Sequence, residues 1–162
     1  MVVKMTKWNA EQQITTLRYS AYMTLWAAAM FTTVLIKNIA ETLNWGYQGG
    51  LAVMLLLCGV FFLFYSIRWT RKYKIYSSGW HEMLGLYSDE FARDTNHKAN
   101  SFSLYLLLLL LVPGFLLGDI ASRTESLSLW LNLSNYSLLL LVIGALTWSL
   151  SVLYRLREGE GG

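Results

Sequence analysis

The chain has 162 residues, of which 55% are hydrophobic and 14% are charged, and its formal net charge is +3. An ordinary soluble domain carries about 25% charged residues. This composition therefore leaves too few charged side chains to cover a surface in water, and it predicts an integral membrane protein. The small net charge argues against nucleic-acid binding, and one cysteine and one proline exclude disulfide-framework and collagen-like chains.

Four apolar stretches without Asp, Glu, Lys or Arg divide the sequence. A helix needs roughly 20 apolar residues to cross a hydrocarbon core of about 30 Å, and each stretch is just long enough. We therefore predict an all-α fold, a four-helix transmembrane bundle in which residues 1–162 form a single integral membrane domain. The predicted spans are residues 19–36, 49–67, 101–118 and 135–154, and the central loop is 68–100.

The distribution of Lys and Arg predicts the orientation of the spans. Apart from Lys37 and Arg123, all of these cations lie before the first span, in the central loop or after the last span. Because Lys and Arg are concentrated in cytoplasmic segments, we expect both termini and the central loop in the cytoplasm and the protein in a bacterial inner membrane. No small-residue cleavage site ends the first apolar stretch, so we expect that stretch to remain as an anchor.

The first two spans carry small residues at regular spacing. Lipid gives apolar helices no hydrophobic drive to associate, so close approach through small side chains has to supply the contact. These residues recur every four positions in the first span and every seven in the second, which is the step of a left-handed helix pair. The predicted packing residues are Ser20, Thr24, Ala28, Thr32, Ala52, Gly59 and Ser66.

A segment in which cations alternate with aromatic residues follows the second span. Amphipathic rings prefer the headgroup region, and each cation near an anionic leaflet contributes about 1 kcal/mol of binding. We predict that this segment lies on the lipid headgroups, and the alternative is a specific lipid-regulatory site. The predicted headgroup contacts are Arg68, Trp69, Arg71, Lys72, Tyr73 and Lys74.

The second half of the central loop has the pattern of a solvated helix that continues into the third span. Ser88 is the predicted N-cap, and the acids after it face the positive end of the helix dipole. Asp94 and Lys98 stand in the favourable acid-first order at i, i+4. Glu90 and His97 share a face with Asp94, and such a trio can in principle hold a divalent metal. We favour the solvated face and expect no catalytic, cofactor or metal site.

Phe91 is the apolar residue of this charged segment. The central loop is the largest polar surface that the sequence offers. We therefore predict that Phe91 and the nearby Arg93 contact a partner. The alternative is that Phe91 packs against Trp80 or Leu84 and closes the loop on itself.

The third span contains the only proline, Pro113. Proline removes a backbone donor, so we expect a kink that leaves the Leu109 carbonyl without its usual partner. This kink is a candidate hinge, and the alternative is a plain adjustment of helix shape. Gly114 and Gly118 are the predicted packing residues, at the spacing that lets two helices approach closely. At the outer edge of the span, Asp119 either pairs with Lys37 or faces water.

The fourth span aligns with the second, which predicts an internal duplication; the alternative is a chance match of Leu-rich segments. Leu55, Gly59 and Ser66 of the second span superpose, 85 residues later, on Leu140, Gly144 and Ser151. A repeat of two spans preserves orientation, so we predict two tandem helical hairpins related by a pseudo-twofold axis along the membrane normal. The predicted packing residues of the fourth span are Ser137, Gly144 and Ser151.

Asp89-Glu90-Phe91, followed by Lys98-Ala99 at the start of the third span, resembles a loose group of uncharacterised small bacterial four-span membrane proteins. In that group an Asp-Glu pair in the central cytoplasmic loop precedes a basic-Ala step. The group usually has Arg after Asp-Glu, whereas this chain has Phe91. The resemblance implies the hairpin-loop-hairpin layout and no activity.

The sequence favours a non-enzymatic membrane protein that acts by association, either as a homo-oligomer or as an accessory subunit. Its expected partners are the lipid bilayer and a second membrane protein or copy, because small-residue faces exceed the need of a four-helix monomer. A small channel or transporter is the alternative, suggested by Pro113 and by the polar strip of Ser20, Thr24 and Thr32. A metal enzyme that uses Glu90, Asp94 and His97 is the least favoured hypothesis.

Overall fold

A computed structural model describes residues 8–44, 46, 48–73, 85–121 and 132–160. These residues form four helices and no strand: α1 (Ala10–Thr42), α2 (Gln48–Tyr73), α3 (Glu90–Ala121) and α4 (Leu133–Glu160). Each helix is long and apolar enough to cross a membrane. The all-α, four-helix fold is therefore confirmed, and the chain has the architecture of a small multi-pass membrane protein.

Two helices begin well before the spans that they contain. α1 begins at Ala10, where Asn9 and Gln12 form a capping box with distances of 2.8 and 3.1 Å. Each side chain satisfies a backbone N–H group that the helix start leaves free. α3 begins at Glu90, and the Asp89 carboxylate accepts from the backbone N–H of Ala92 at 2.9 Å. Asp89 is thus the N-cap, and the prediction of Ser88 is wrong by one residue.

The helices pack in the order α2, α1, α4, α3. α1 has its largest interface with α4 and a second one with α2, while α3 packs on α4 and touches α1 lightly. Within the described residues, α2 and α3 share no interface of comparable size. The fourth side of the bundle is therefore open.

The best-packed core lies at one end of the molecule, where α1 and α3 begin and α2 and α4 end; we call it the basal end and its opposite the distal end. The core joins α1, α3, α4 and the segment before α3 through Leu17, Ala21, Tyr87, Ala92, Ala99, Val152 and Leu156. By contrast, the middle of α2 and α3 presents most of its apolar residues outward. Such surfaces fit contact with lipid tails.

Hydrogen bonds made by polar side chains join the helices at both ends of the molecule. At the basal end, the buried Gln13 amide donates to the Trp8 carbonyl and the Ser88 hydroxyl at 2.8 and 2.7 Å, and it accepts from the Ser88 and Asp89 N–H groups at 2.9 Å each. At the distal end, Asn38 donates to the Asn135 side chain at 3.1 Å. These bonds tie α1 to the start of α3 and to the start of α4.

The predicted internal repeat bears on the open side of the bundle. A closed pseudo-twofold bundle would repeat the α1–α4 interface between α3 and α2. Both hairpin interfaces, α1–α2 and α3–α4, are present, but the described residues do not form the second cross-hairpin interface. The pseudo-twofold relation stays a prediction, and the open side occupies the place of its missing interface.

Candidate helix-docking cleft

The open side of the bundle is a cleft of about 980 Å³, which we call the α2–α3 cleft. α1 and α4 form its floor, largely from small side chains, and α2 and α3 form its walls. None of its described lining residues is Asp, Glu, Lys, Arg or His. The floor includes Ser20, Thr24, Ala27, Gly144 and Ala145, and the walls include Phe62, Ser66, Leu104, Leu108 and Leu111.

The small residues predicted on the first span divide between the cleft and the interior. Ser20 and Thr24 line the cleft, Ala28 is fully buried, and Thr32 is half-buried. The hydroxyls of Thr24 and Thr32 donate to the backbone carbonyls of Ser20 and Ala28 at 2.9 and 2.8 Å. Both threonine hydroxyls are therefore bonded within their own helix.

The predicted seam of the second span does not form the α1–α2 interface. Ala52 is exposed, and a Cβ added at Gly59 would meet no atom within 4 Å, whereas Ser66 donates to the Met23 sulfur at 3.3 Å. Cys58 is buried instead. Ala52 and Gly59 therefore do not have the predicted packing role within one copy of the chain. The buried residues of α2, Cys58 and Trp69, lie to one side of this line of small residues, and of the line only Ser66 bonds to α1.

The fourth span places its predicted small residues against α3 and the cleft. Ser137 and Gly144 line the cleft, and Ser151 is half-buried. The Leu107 side chain lies 3.1 Å from the place of a Cβ on Gly144, which is tighter than an ordinary contact. Gly144 therefore lets α3 and α4 approach.

The Tyr136 side chain of α4 packs against Gly114 of the third span. A Cβ on Gly114 would overlap the Tyr136 ring, and the Tyr136 hydroxyl donates to the Leu110 carbonyl. The helix continues through Pro113 from Glu90 to Ala121. Tyr136 therefore supports the carbonyl next to the one that proline leaves free, and the hinge at Pro113 stays a prediction. The surroundings of Gly118 lie outside what the structure describes.

Only part of the predicted headgroup segment faces outward. Arg68 and Arg71 are exposed, but Trp69 is 7% exposed and lines the cleft, so its prediction as a headgroup anchor is wrong. The rotation of α2 on α1 turns this ring inward. The side chains of Lys72 and Tyr73, and the whole of Lys74, lie outside the described residues.

Two tryptophans mark the basal end of the cleft. The Trp148 indole donates to the Asn96 side chain at 3.3 Å. The Trp69 indole N–H is buried, and it finds no acceptor among the described residues. A buried donor without a partner costs about 1–3 kcal/mol. An occupant that brings an acceptor to this end of the cleft would remove that cost.

The predicted partner contacts lie on a shallow groove at the basal end. Phe91 is 39% exposed and its ring rests on Gly159 of α4, and Arg93 is exposed. The alternative contacts of Phe91, Trp80 and Leu84, fall outside the described residues. The role of Phe91 and Arg93 in binding a partner stays a prediction.

The charged residues of α1 and α3 show ordinary surface pairing. The predicted pair of Asp94 and Lys98 forms at 2.7 Å. Lys37 pairs with Glu41 at 3.4 Å, and the side chain of Asp119 is not described. Within the described part of the chain, no three His, Cys, Asp or Glu side chains come close enough to hold a metal ion. The trio of Glu90, Asp94 and His97 therefore shares a helix face without forming a ligand cluster.

Sequence reasoning missed the polar residues that join the helices. Gln13 lies in a polar stretch that reads as a tail, and Asn96 lies in a segment that reads as a solvated face. Both are buried. Tyr136 lies at the start of the predicted fourth span, and this position gives no sign that the ring packs on Gly114. The sequence offers only a weak signal for such contacts, which is that an amide side chain near a span end can hydrogen-bond to another helix.

Comparisons with protein-family models, with curated proteins and with solved structures found no match. The class of the protein therefore follows from the four helices, and the resemblance to small bacterial four-span proteins is carried by the quoted residues alone.

Proposed function

We propose that the protein is not an enzyme and that it acts by association within a bacterial inner membrane. The observation that carries the proposal is the apolar α2–α3 cleft, which leaves one side of the bundle without a helix. The proposed occupant of the cleft is a transmembrane helix of a second copy of the chain. The alternative occupant is a helix of another membrane protein, which the chain would then serve as an accessory subunit.

The shape and lining of the cleft suit a helix. Helices in lipid associate where small side chains let the backbones approach, and the floor supplies Ser20, Ala27, Gly144 and Ala145. A charged partner helix would be disfavoured, because no described lining residue is ionisable. The unpartnered Trp69 N–H gives the occupant one polar contact at the basal end.

The helix that we propose as occupant is α3 of the second copy. α3 is an edge helix whose outward face carries the exposed Leu109 and Phe115, while Leu104 and Leu108 line its own cleft. When α3 of one copy occupies the cleft of the other, a twofold axis along the membrane normal also places α3 of the second copy in the cleft of the first. Such a reciprocal contact closes as a dimer.

The charge distribution supports the proposed orientation. Arg18, Arg68, Arg93 and Arg157 all belong to the basal half of their helices, whereas Lys37 stands near the distal end. Because cytoplasmic segments are enriched in Lys and Arg, the basal end faces the cytoplasm in this proposal. Both chain termini then lie in the cytoplasm as well.

Photo-crosslinking in native membranes tests the proposal. A photoreactive phenylalanine analogue replaces Phe62, which lines the cleft, and the control replaces the neighbouring Leu63, which is 57% exposed. We expect position 62 to give an adduct of two copies, with the crosslinked peptide mapping to α3, and position 63 to give lipid adducts. An adduct at position 62 with one identified membrane protein would indicate an accessory subunit. Lipid adducts at both positions would contradict association through the cleft.

No described feature favours the channel or transporter hypothesis to the same degree. The cleft is lined mainly by apolar surface, and the hydroxyls of Thr24 and Thr32 are bonded to their own helix. The same holds for the enzyme hypothesis, since its proposed ligands do not converge.

A further inference from the structure

A groove of about 540 Å³, separate from the α2–α3 cleft, lies between α1 and α2 on another face of the α1–α2 hairpin. Two arginines and three tyrosines dominate its lining, and we call it the Arg–Tyr groove. Its residues do not belong to the α2–α3 cleft. The groove is defined by Arg18, Tyr19, Tyr22, Tyr65 and Arg68.

Contacts across the hairpin build this groove. The Arg68 side chain donates through Nε to the Tyr19 hydroxyl at 3.3 Å. The Tyr65 ring stacks on Tyr22 with centroids 5.9 Å apart and lies 6.4 Å from the Tyr19 ring. The Nε bond orients the Arg68 guanidinium and leaves its terminal nitrogens for other acceptors.

The described charged residues that line the groove are cations. Arg18 and Arg68 line it, and a smaller adjoining hollow adds Arg71 beside Phe64 and Ile67. No Asp or Glu is among the described residues that line either hollow. A guanidinium binds a phosphate through two parallel hydrogen bonds, so two or three of them at one place favour a phosphate group.

The polarity of the groove changes along the helix axis. The arginines lie towards the basal end, whereas the stacked Trp26 and Phe61 rings, with centroids 4.6 Å apart, lie deeper along the same two helices. Phe64, between these levels, is 54% exposed. An amphiphile with an anionic head and apolar chains matches this gradient, because tyrosine and tryptophan rings suit the boundary between headgroups and tails.

We propose that the Arg–Tyr groove binds the headgroup phosphate of an anionic phospholipid, with the acyl chains lying along Phe64 and the outer face of α2. The site recognises a particular headgroup charge, which distinguishes it from general anchoring by scattered cations. It does not depend on the association proposed for the cleft.

Native mass spectrometry of the purified full chain in detergent tests the site, with phosphatidylglycerol and phosphatidylcholine added separately. We expect the wild type to bind one phosphatidylglycerol on the order of 10-fold more tightly than phosphatidylcholine. The double variant Arg18→Gln/Arg68→Gln should lose this preference. The control Arg155→Gln/Arg157→Gln removes the same charge from α4, outside the groove, and should keep it.

Two further measurements keep the proposal falsifiable if the double variant folds poorly. Arg68→Lys retains the charge but not the paired hydrogen bonds, and we expect it to bind with intermediate affinity. Soluble glycerol phosphate at millimolar concentration should not displace the lipid. Equal binding of both lipids by the wild type, unchanged binding by the folded double variant, or full displacement by glycerol phosphate would overturn the proposal.

Discussion

Trp69 and Trp148 both lie at the basal end of the cleft. They differ in whether the indole N–H group has a hydrogen-bond acceptor. Trp148 donates to Asn96, which in turn donates to the Gly85 carbonyl at 3.2 Å. Trp69 has no acceptor within the described residues. A structural role explains Trp148 completely. In the assembly that we propose, the helix that fills the cleft would supply an acceptor for the Trp69 N–H.

Two glycines provide a test at the scale of single residues. We expect Gly114→Ala to lower the free energy of unfolding by about 1–3 kcal/mol, because the added methyl group overlaps the Tyr136 ring in a packed interface. Gly59→Ala is the matched control, since nothing lies within 4 Å of the added group and alanine favours the helix.

Reversible unfolding of the purified protein in mixed micelles, with SDS as the denaturant, measures both variants. Gly59→Ala should leave monomer stability unchanged or slightly raised. Equal losses for the two variants would show that the Tyr136 contact with Gly114 is not what distinguishes these positions.

At the scale of elements, the start of α1 determines where α3 begins. One buried amide, that of Gln13, bonds the backbone and side chain of the residues that precede α3. Because the first N–H groups of a helix have no partner within it, this amide extends the capping that Asp89 provides. The two helices therefore behave as one unit at the basal end.

We expect Gln13→Ala to destabilise the protein by about 2 kcal/mol, since it removes four hydrogen bonds and leaves the Ser88 and Asp89 N–H groups without this acceptor. Gln12→Ala, at an exposed position next to it, breaks only the capping box and should cost less than about 1 kcal/mol.

Thermal unfolding in detergent measures the total effect, and hydrogen exchange at Ala92 locates it. The Gln13 variant should exchange faster at the start of α3, whereas the Gln12 variant should not. Slow exchange at Ala92 in both variants would mean that the amide is not needed to hold α3.

The sequence predicts the elements well, because apolar length and charge distribution report directly on membrane crossing. It does not predict that α1 begins at Ala10. Glu11 and Arg18 indicate only where the membrane-spanning part of the helix ends, and a helix can continue beyond that point into water. The inward position of Trp69 and the outward position of Gly59 depend on how α2 rotates against α1. That rotation is a property of tertiary packing, and no single-helix pattern carries it.

At the scale of the whole molecule, the proposed orientation places Asn44 outside the cell and Glu158 inside. After replacement of the buried Cys58 by alanine, single variants Asn44→Cys and Glu158→Cys are treated in intact cells with an impermeant maleimide. We expect labelling of the first variant at once and of the second only after permeabilisation. Labelling of Glu158→Cys in intact cells would reverse the orientation.

The packing order of the helices has a consequence for biosynthesis. The largest interface joins α1 to α4, the first and last of the described helices in chain order. α1 is also the least apolar of the four and the most buried. While α2 and α3 are being inserted, the α4-facing side of α1 has to remain in lipid or be shielded by the insertion machinery. The interface that α1 shares with α4 therefore forms only after α4 has been inserted.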